Sequence, residues 1–392
     1  MHDYYDVCVI GAGVVGSAIA RELATENFNE KFSIIVLDAK KCPGGETSLN
    51  NSGVLHSGLH EKRGSLKARL AHEGSRLARN FAEEHNVPIR HTGMLIAIPK
   101  GAILGGLWKE WRTLWRLWRN GQAQNIPIEF LAPYGIHTKE PNIRACAGIF
   151  MKDVWVVDSR AFVEALTKSA ILRKVEFQFN QTVIAIKKCE REFVITTSHG
   201  IIRAKAIINA AGLYADDIAN MALCEKRYQI YPWRGEYYEI VNPKKRNLVN
   251  GLVYPALPEN SAGKGIHFSP RPNGRMFLGP NTVPLEQKND YAMNKTPPDI
   301  FLAAARKFLP ELEASDIEWS YSGIRPKLSR ELHEEDFCIS IDSKNPLLIN
   351  CVGIESPGLS AGMGIAKYIC ALPLVYRTLD HIEEKNIPHE LS

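Results

Sequence analysis

The chain opens with two hydrophobic periodicities in quick succession. Val7, Val9 and Ile10 form a short β-branched run, the pattern of a strand buried on both faces of a parallel sheet. Ile19, Ala20 and Leu23 then recur at helical spacing, and Phe32-Ser-Ile-Ile-Val-Leu37 reads as the next strand. Further along, the pattern predicts a helix over about 66–85, a strand over 89–98, a helix over 104–119 and another over about 160–171. Strand-like stretches at 176–186, 192–198 and 201–206 form a meander that runs into the apolar Ala206-Ile-Ile-Asn209. Residues 231–283 are strand-rich and punctuated by proline, as in an antiparallel sheet. A last apolar strand at 347–352 precedes a loop and a helix from Leu359 onward.

Between the first strand and the first helix lie Gly11, Gly13 and Gly16, at Gly-x-Gly-x-x-Gly spacing. The first glycine permits the tight turn, the second lets backbone approach a pyrophosphate, and the third lets the helix pack closely on the strand. Val14 and Val15 open that helix, whose N-terminus points unpaired N–H groups at an anion. The second strand ends in Asp38, followed by Ala39, close to the roughly 20 residues past the last glycine at which a carboxylate meets a ribose hydroxyl. Strand, turn, helix and acid together predict a Rossmann-like nucleotide-binding lobe. Residues 44–60 then carry small and hydroxyl side chains, among them Thr47, Ser48, Asn51, Ser52 and Gly53, a composition that lets backbone run beside a large ligand.

At 392 residues the chain exceeds what one core serves, so two lobes are expected. The class is α/β with an α+β second lobe. Nucleotide-lobe segments at 1–88, 146–227 and 319–392 enclose second-lobe segments at 89–145 and 228–318. Hydrophobic content of 45% and charged content of 23% are ordinary for a soluble globular protein. A net charge of +5 is too small and dispersed to argue for nucleic acid, and it suits an anionic substrate or a membrane surface equally. Eight cysteines without Cys-x-x-Cys spacing read as reduced thiols of a cytoplasmic protein. The first strand leaves no room for a signal peptide, and no apolar run reaches the length of a membrane span. His56 and His60 stand four apart, but the glycine between them argues against a helical metal pair, and no metal is expected.

The order of the glycine motif, the acidic strand end and Asn51-Ser-Gly-Val-Leu-His-Ser-Gly58 resembles the FAD-dependent oxidoreductases of the D-amino-acid oxidase type. Within them, Gly64-Ser-Leu-Lys-Ala-Arg-Leu70, Tyr231-Pro-Trp-Arg-Gly-Glu-Tyr-Tyr238, Gly251-Leu-Val-Tyr-Pro255, Gly265-Ile-His-Phe-Ser-Pro-Arg271 and Leu278-Gly-Pro-Asn281 resemble L-2-hydroxyglutarate dehydrogenases and oxidases. The stretch Cys351-Val-Gly-Ile-Glu-Ser-Pro-Gly-Leu-Ser-Ala361 departs from them and is more similar to flavin-linked glycerol-3-phosphate dehydrogenases. The resemblance implies FAD as cofactor, in a discontinuous Rossmann-like lobe with a substrate lobe interleaved. By that resemblance Val183 meets the adenine, Ala211 and Gly212 pass beside the nucleotide, and Gly353, Gly358, Leu359 and Ser360 bring a helix end to the pyrimidine edge of the flavin. The positive end of that helix would stabilise the negative charge of reduced flavin.

Oxidising a 2-hydroxy acid needs flavin N5 as hydride acceptor, a base for the hydroxyl proton and a cation for the carboxylate. His267, inside an alternating Ile-His-Phe strand, is one candidate base, and His56 on the flavin-side loop is the competing one. An acid limb near the ordinary histidine pKa is the expected signature. Arg325 in Ser322-Gly-Ile-Arg-Pro-Lys327 matches the family position that pairs with a substrate carboxylate, and Tyr254 and Lys327 are weaker candidates for orienting the substrate. The expected activity is oxidation of a small anionic L-2-hydroxy acid, L-2-hydroxyglutarate first, to the 2-oxo acid. Glycerol-3-phosphate or amino-acid oxidation by the same chemistry, and a non-catalytic flavin-binding subunit, are the alternatives. The electron acceptor, quinone or oxygen, stays open.

Leu104, Leu107, Trp108, Trp111, Trp115 and Trp118 share one face of the helix at 104–119, with Lys109, Arg112, Arg116 and Arg119 largely opposite. Burial of the aromatic stripe on its own lobe is expected slightly ahead of the alternative, a helix resting on the inner face of an anionic membrane.

Overall fold

Strands that are apolar on both sides end up in the middle of a sheet. Tyr4–Ile10 and Ile34–Leu37 pair in parallel at the centre of an eight-stranded sheet, flanked by Glu176–Gln178 on one side and Gly200–Asn209 on the other. The ten-residue strand Gly200–Asn209 does double duty along one edge. Its first half pairs antiparallel with Phe193–Thr197, and its second half pairs in parallel with Leu348–Val352. The computed structural model describes residues 4–26, 33–101, 104–190, 192–258, 261, 263–332 and 335–372, for residues 104–107 the backbone alone.

Alternation along the first strand sorts its side chains into two cores. Val7 and Val9 face helices Val14–Glu26, Leu66–Glu84, Ser159–Ile171 and Gly358–Cys370, while Cys8 and Ile10 face the meander and the short helix Ala215–Met221. The N-terminus of Leu66–Glu84 is closed twice over. Ser65 Oγ accepts from the Ala68 N–H at 3.1 Å, and the Asp336 carboxylate accepts from the N–H groups of Leu66 and Lys67 at 2.8 and 2.9 Å.

The second sheet has nine strands in the order Val283–Pro284, Tyr231–Ile240, Met276–Gly279, His267–Pro270, Leu252–Pro255, Met94–Pro99, Ala145–Met151 and Glu129–Leu131, with Ile317–Lys327 paired to Tyr231–Ile240. It is antiparallel except where Leu252–Pro255 meets Met94–Pro99. Two expected boundaries shift accordingly. Ala145–Met151 and Ile317–Lys327 lie wholly in this sheet, so membership changes after 151 and 327 rather than at 145 and 318. Ladder pairing carries them, since Tyr231 faces Lys327 and Ile240 faces Ile317 along the full length of the longer strands. The expected single strand at 89–98 is two. Ile89–His91 joins a three-stranded sheet with Val54–Leu55 and Trp155–Val157, and Met94–Pro99 joins the large one. The part of segment 319–392 beyond residue 372 lies outside the described residues.

The expected burial of the tryptophan stripe is overturned. Helix Leu104–Ala123 packs through Thr113, Leu114, Leu117 and Gly121, while Trp108 is 72% exposed, Trp111 46% and Trp115 55%. Trp118 is half-buried, and the expected places of Leu104 and Leu107 lie outside the described side chains. The buried face is turned about one residue, roughly 100° on a helical wheel, from the stripe the periodicity picks out. Among the described residues, no helix is long and apolar enough to cross a membrane.

Lys67 and Glu355 form an ion pair at 3.0 Å with side chains 3% and 5% exposed, which ties the start of Leu66–Glu84 to the loop before Gly358–Cys370. Removing one member of a buried pair strands the other charge. Lys67→Met is therefore expected to cost about 3–5 kcal/mol, with much of the loss restored in Lys67→Met/Glu355→Gln, as read from denaturant midpoints.

Candidate active site

The carboxyl ends of Tyr4–Ile10, Ile34–Leu37 and Gly200–Asn209 open into a cavity of about 570 Å³, the position at which open α/β sheets hold ligands. The nucleotide-lobe wall carries Gly11, Gly13, Val14, Val15, Asp38, Ala39, Thr47, Ser48, Asn51, Ser52, Val183, Ala211, Gly212, Gly358, Leu359 and Ser360. The opposite wall carries Tyr254, His267, Arg325 and Lys327, and His56 lines the cavity as well. Three expected cofactor residues stand outside the lining. Gly16 packs under the turn, where a Cβ would lie 1.9 Å from the Gly11 carbonyl oxygen. Gly53 lies against the Val157 carbonyl and donates its N–H to Asn51 Oδ1 at 2.8 Å, and Gly353 lies against Leu328. They shape the wall without reaching its surface.

The turn itself is held by side chains brought in from the second strand and the following loop. Asp38 accepts from the N–H groups of Ala12 and Lys40 at 2.6 and 2.7 Å. Burial raises its pKa, against the pull of those two N–H groups and the Lys40 charge. Ser48 Oγ accepts from the Val14 N–H at 3.0 Å, and Thr47 Oγ1 donates to the Ile324 carbonyl at 2.8 Å, which joins this loop to the second sheet. Arg271 makes the same junction more broadly. Its guanidinium donates to the carbonyls of Asn51 and Ser52, to Ser269 Oγ and to the Tyr321 hydroxyl.

His267 is 4% exposed and lies flat on Tyr254, with ring centroids 3.6 Å apart. Its Nδ1 is 2.8 Å from the Gly265 carbonyl, which fixes the proton on Nδ1 and leaves the Nε2 lone pair. Nε2 is buried and has no partner. Burial pushes the imidazole pKa down to about 3, with Arg271, Lys264 and Arg325 adding repulsion. This corrects the expectation of a near-ordinary histidine. His56 is also driven well below its usual value by burial and by Lys264, His60 and His267, and its backbone N–H donates to Ser360 Oγ at 2.8 Å.

Arg325 stands on the strand opposite Trp233, where Nη2 donates to the Asn281 carbonyl at 3.2 Å and Nη1 is buried without a partner. A Cβ at neighbouring Gly235 would sit 2.6 Å from Nη2, so glycine is what leaves room for the guanidinium. Lys327 is buried, its Nζ 5.1 Å from the centroid of the Trp233 ring. Among the described residues, no cluster of three or more His, Cys, Asp or Glu is arranged to hold a metal ion.

Three further lining residues escaped the sequence reading. Tyr237 stacks on Tyr321 at 4.5 Å, and burial raises its pKa. Lys264 pairs with Glu61 at 3.0 Å, and Gln181 aims a buried, unpartnered Oε1. Lys264 sits between Gly263 and Gly265, the one local signal that marks it as a backbone held close to a ligand.

The cavity falls within the roughly 300–1,000 Å³ of ordinary ligand sites. The orphaned Gln181 Oε1, His267 Nε2 and Arg325 Nη1 are polar groups at the cavity that no protein atom satisfies, as expected where a ligand binds. A Cβ would lie 2.4 Å from the Ala210 oxygen at Gly11 and 3.0 Å from Ser48 Oγ at Gly13, so the turn keeps its backbone bare toward the space. The residues present fit a dinucleotide that extends to the second sheet. A family profile described as FAD dependent oxidoreductase (DAO) matches residues 6–372. The chain belongs to that family, and its cofactor is FAD.

Among relatives of this flavoprotein, a glycerol 3-phosphate dehydrogenase of Caloramator mitchellensis is 29% identical over 93% of this chain and 73% of its own length. The mitochondrial L-2-hydroxyglutarate dehydrogenase of Nematostella vectensis is 31% identical over 72% of this chain and 63% of its own length, and that of Caenorhabditis elegans 27% identical over 93% and 92%. The solved L-alpha-glycerophosphate oxidase of Mycoplasma pneumoniae with FAD bound superposes with a TM-score of 0.84 at 25% identity, covering 96% of this chain and 95% of that one.

Because His56, His60 and His267 are held neutral by burial, the unfolded chain binds protons that the folded chain refuses once pH falls below the ordinary histidine range. Their contribution is complete above about pH 6.5 and is lost as pH drops, each with a slope of about 1.4 kcal/mol per pH unit. His267→Gln is expected to flatten the fall in melting temperature between pH 7 and 5, and parallel curves for the two proteins would place His267 in contact with water.

Proposed function

We propose that this flavoenzyme oxidises a small anionic L-2-hydroxy acid, L-2-hydroxyglutarate, to its 2-oxo acid. The observation that carries this reading is the pairing, in one cavity, of an unpartnered guanidinium nitrogen on Arg325 with an unpartnered lone pair on His267. A carboxylate next to a carbinol fills both. Arg325 grips the carboxylate through its open Nη1, and Nε2 of His267 accepts the hydroxyl proton. Lys264, at the same cavity, offers a second positive charge to the distal carboxylate.

FAD supplies the two-electron acceptor when bound. Gly11, Gly13 and the start of Val14–Glu26 would hold its pyrophosphate, Asp38 a ribose, Val183 and Gln181 the adenine end, and Gly358, Leu359 and Ser360 the flavin. The low pKa of His267 keeps the ring neutral and ready to accept a proton, and an arriving carboxylate raises its basicity by offsetting Arg325, Arg271 and Lys264. Tyr254 stacks beneath the ring and fixes its plane.

Glycerol 3-phosphate oxidation is the second reading, favoured by the stretch Cys351–Ala361 and by the Caloramator mitchellensis and Mycoplasma pneumoniae relatives. A phosphate on Lys264 and Arg325 would replace the two carboxylates. Anaerobic bleaching of the yellow enzyme separates the two. Reduction by L-2-hydroxyglutarate at much the higher kcat/KM supports the first reading, and reduction by glycerol 3-phosphate alone replaces it with the second.

Two substitutions test the site. Arg325→Lys keeps the charge but loses the planar fork, and kcat/KM is expected to fall about 10–100-fold. His267→Ala is expected to lower kcat about 10²–10⁴-fold with FAD content unchanged. Wild-type kcat/KM should hold level through the ordinary histidine range, because His267 titrates far below it. If His56→Ala shows the loss and His267→Ala does not, the base belongs to the flavin-side loop.

A further inference from the structure

We infer that helix Leu104–Ala123 docks the enzyme on an anionic lipid bilayer, through a surface that the oxidation chemistry does not use. Trp108, Trp111 and Trp115 stand out from the helix at 72%, 46% and 55% exposure. Trp115 stacks on Trp118 at 5.0 Å, and Trp118 meets the 42%-exposed Phe130 at 5.8 Å, so the aromatic surface continues from the helix onto the neighbouring strand Glu129–Leu131. Lys109, Arg112 and Arg119 are exposed beside it. The helix's one acidic residue, Glu110, is half-buried and faces the Lys307 charge.

Charge and chemistry together select the occupant. Tryptophan rings carry an apolar body and a polar N–H, which suits the boundary between headgroups and acyl chains, and flanking arginine and lysine suit anionic headgroups. A protein partner would demand a shaped and hydrogen-bonding surface. Here the rings form a run of aromatic surface with exposed cations beside it, and a fluid bilayer accommodates them without shape matching.

The inner face of the same helix is tied to two segments that neighbour the cavity. Asn120 Nδ2 donates to the carbonyls of Leu59 at 2.5 Å and Glu61 at 3.0 Å, on the segment that carries His56, and Thr113 Oγ1 donates to the Leu257 carbonyl at 3.1 Å. Leu257 packs against Gly265, next to Lys264.

Sedimentation of the FAD-loaded enzyme with vesicles decides the matter. Wild type is expected to pellet with vesicles of phosphatidylglycerol and phosphatidylcholine, less with phosphatidylcholine alone, and less at high salt. Arg112→Gln/Arg119→Gln should weaken partitioning on the order of 30-fold, and Trp111→Ala/Trp115→Ala should abolish pelleting, with flavin absorbance and turnover of both variants unchanged. Absence of wild-type pelleting, or equal pelleting of all three proteins, overturns the inference. A wild-type dimer in solution that the tryptophan variant converts to monomer also overturns it, because the face then joins two copies of this chain.

Discussion

Everything in the nucleotide lobe depends on one backbone contact. The first helix rests so closely on the first strand that any side chain at Gly16 would collide with the carbonyl oxygen of Gly11. That approach places the helix start over the strand end, and Ser48 and Asp38 then find their N–H partners at Val14 and Ala12. Once those loops are fixed, Thr47 meets Ile324 and Arg271 meets Asn51 and Ser52, so the second sheet is joined to the same turn.

The chemistry of the site is a matter of desolvation more than of charge. His267, His56 and Tyr254 lie in a space where ionisation is costly, so all three rest neutral. Arg325, by contrast, keeps a cation with an unfilled hydrogen-bonding site. A site of this kind favours a ligand that brings its own negative charge and an exchangeable proton.

The lobe that binds the nucleotide was legible because its determinants are local. Gly11, Gly13, Gly16 and Asp38 lie within one strand–helix–strand unit, and their spacing carries the geometry. Gly16 was legible in its packing role but not in its distance from the ligand. The partners of the candidate site groups were not legible, because they come from distant ladders. Lys264 meets Glu61, and Gly235 makes room for Arg325, through folding that no local pattern records. Domain edges slipped for the same reason, since the lengths of Ala145–Met151 and Ile317–Lys327 are set by their neighbours in the sheet. The tryptophan helix was misjudged because periodicity identifies an apolar face but not what covers it. Thr113, Leu114, Leu117 and Gly121, less hydrophobic in sum, took the core side, where Leu114 and Leu117 pack with Leu59, Ile96 and Ile98 and where Thr113 and Asn120 reach carbonyls at 257, 59 and 61.

Arg271 has a mechanical meaning beyond its role as a clasp. One guanidinium holds carbonyls of the flavin-side loop and hydroxyls of the substrate sheet at once, within a buried aromatic setting of Tyr237 and Phe277. Such a rivet opposes any opening of the two lobes like a jaw, since opening would break all of these bonds at once. The spacing between the two sheets is thereby set at this junction, and a ligand that enters the cleft meets walls whose separation one side chain spans.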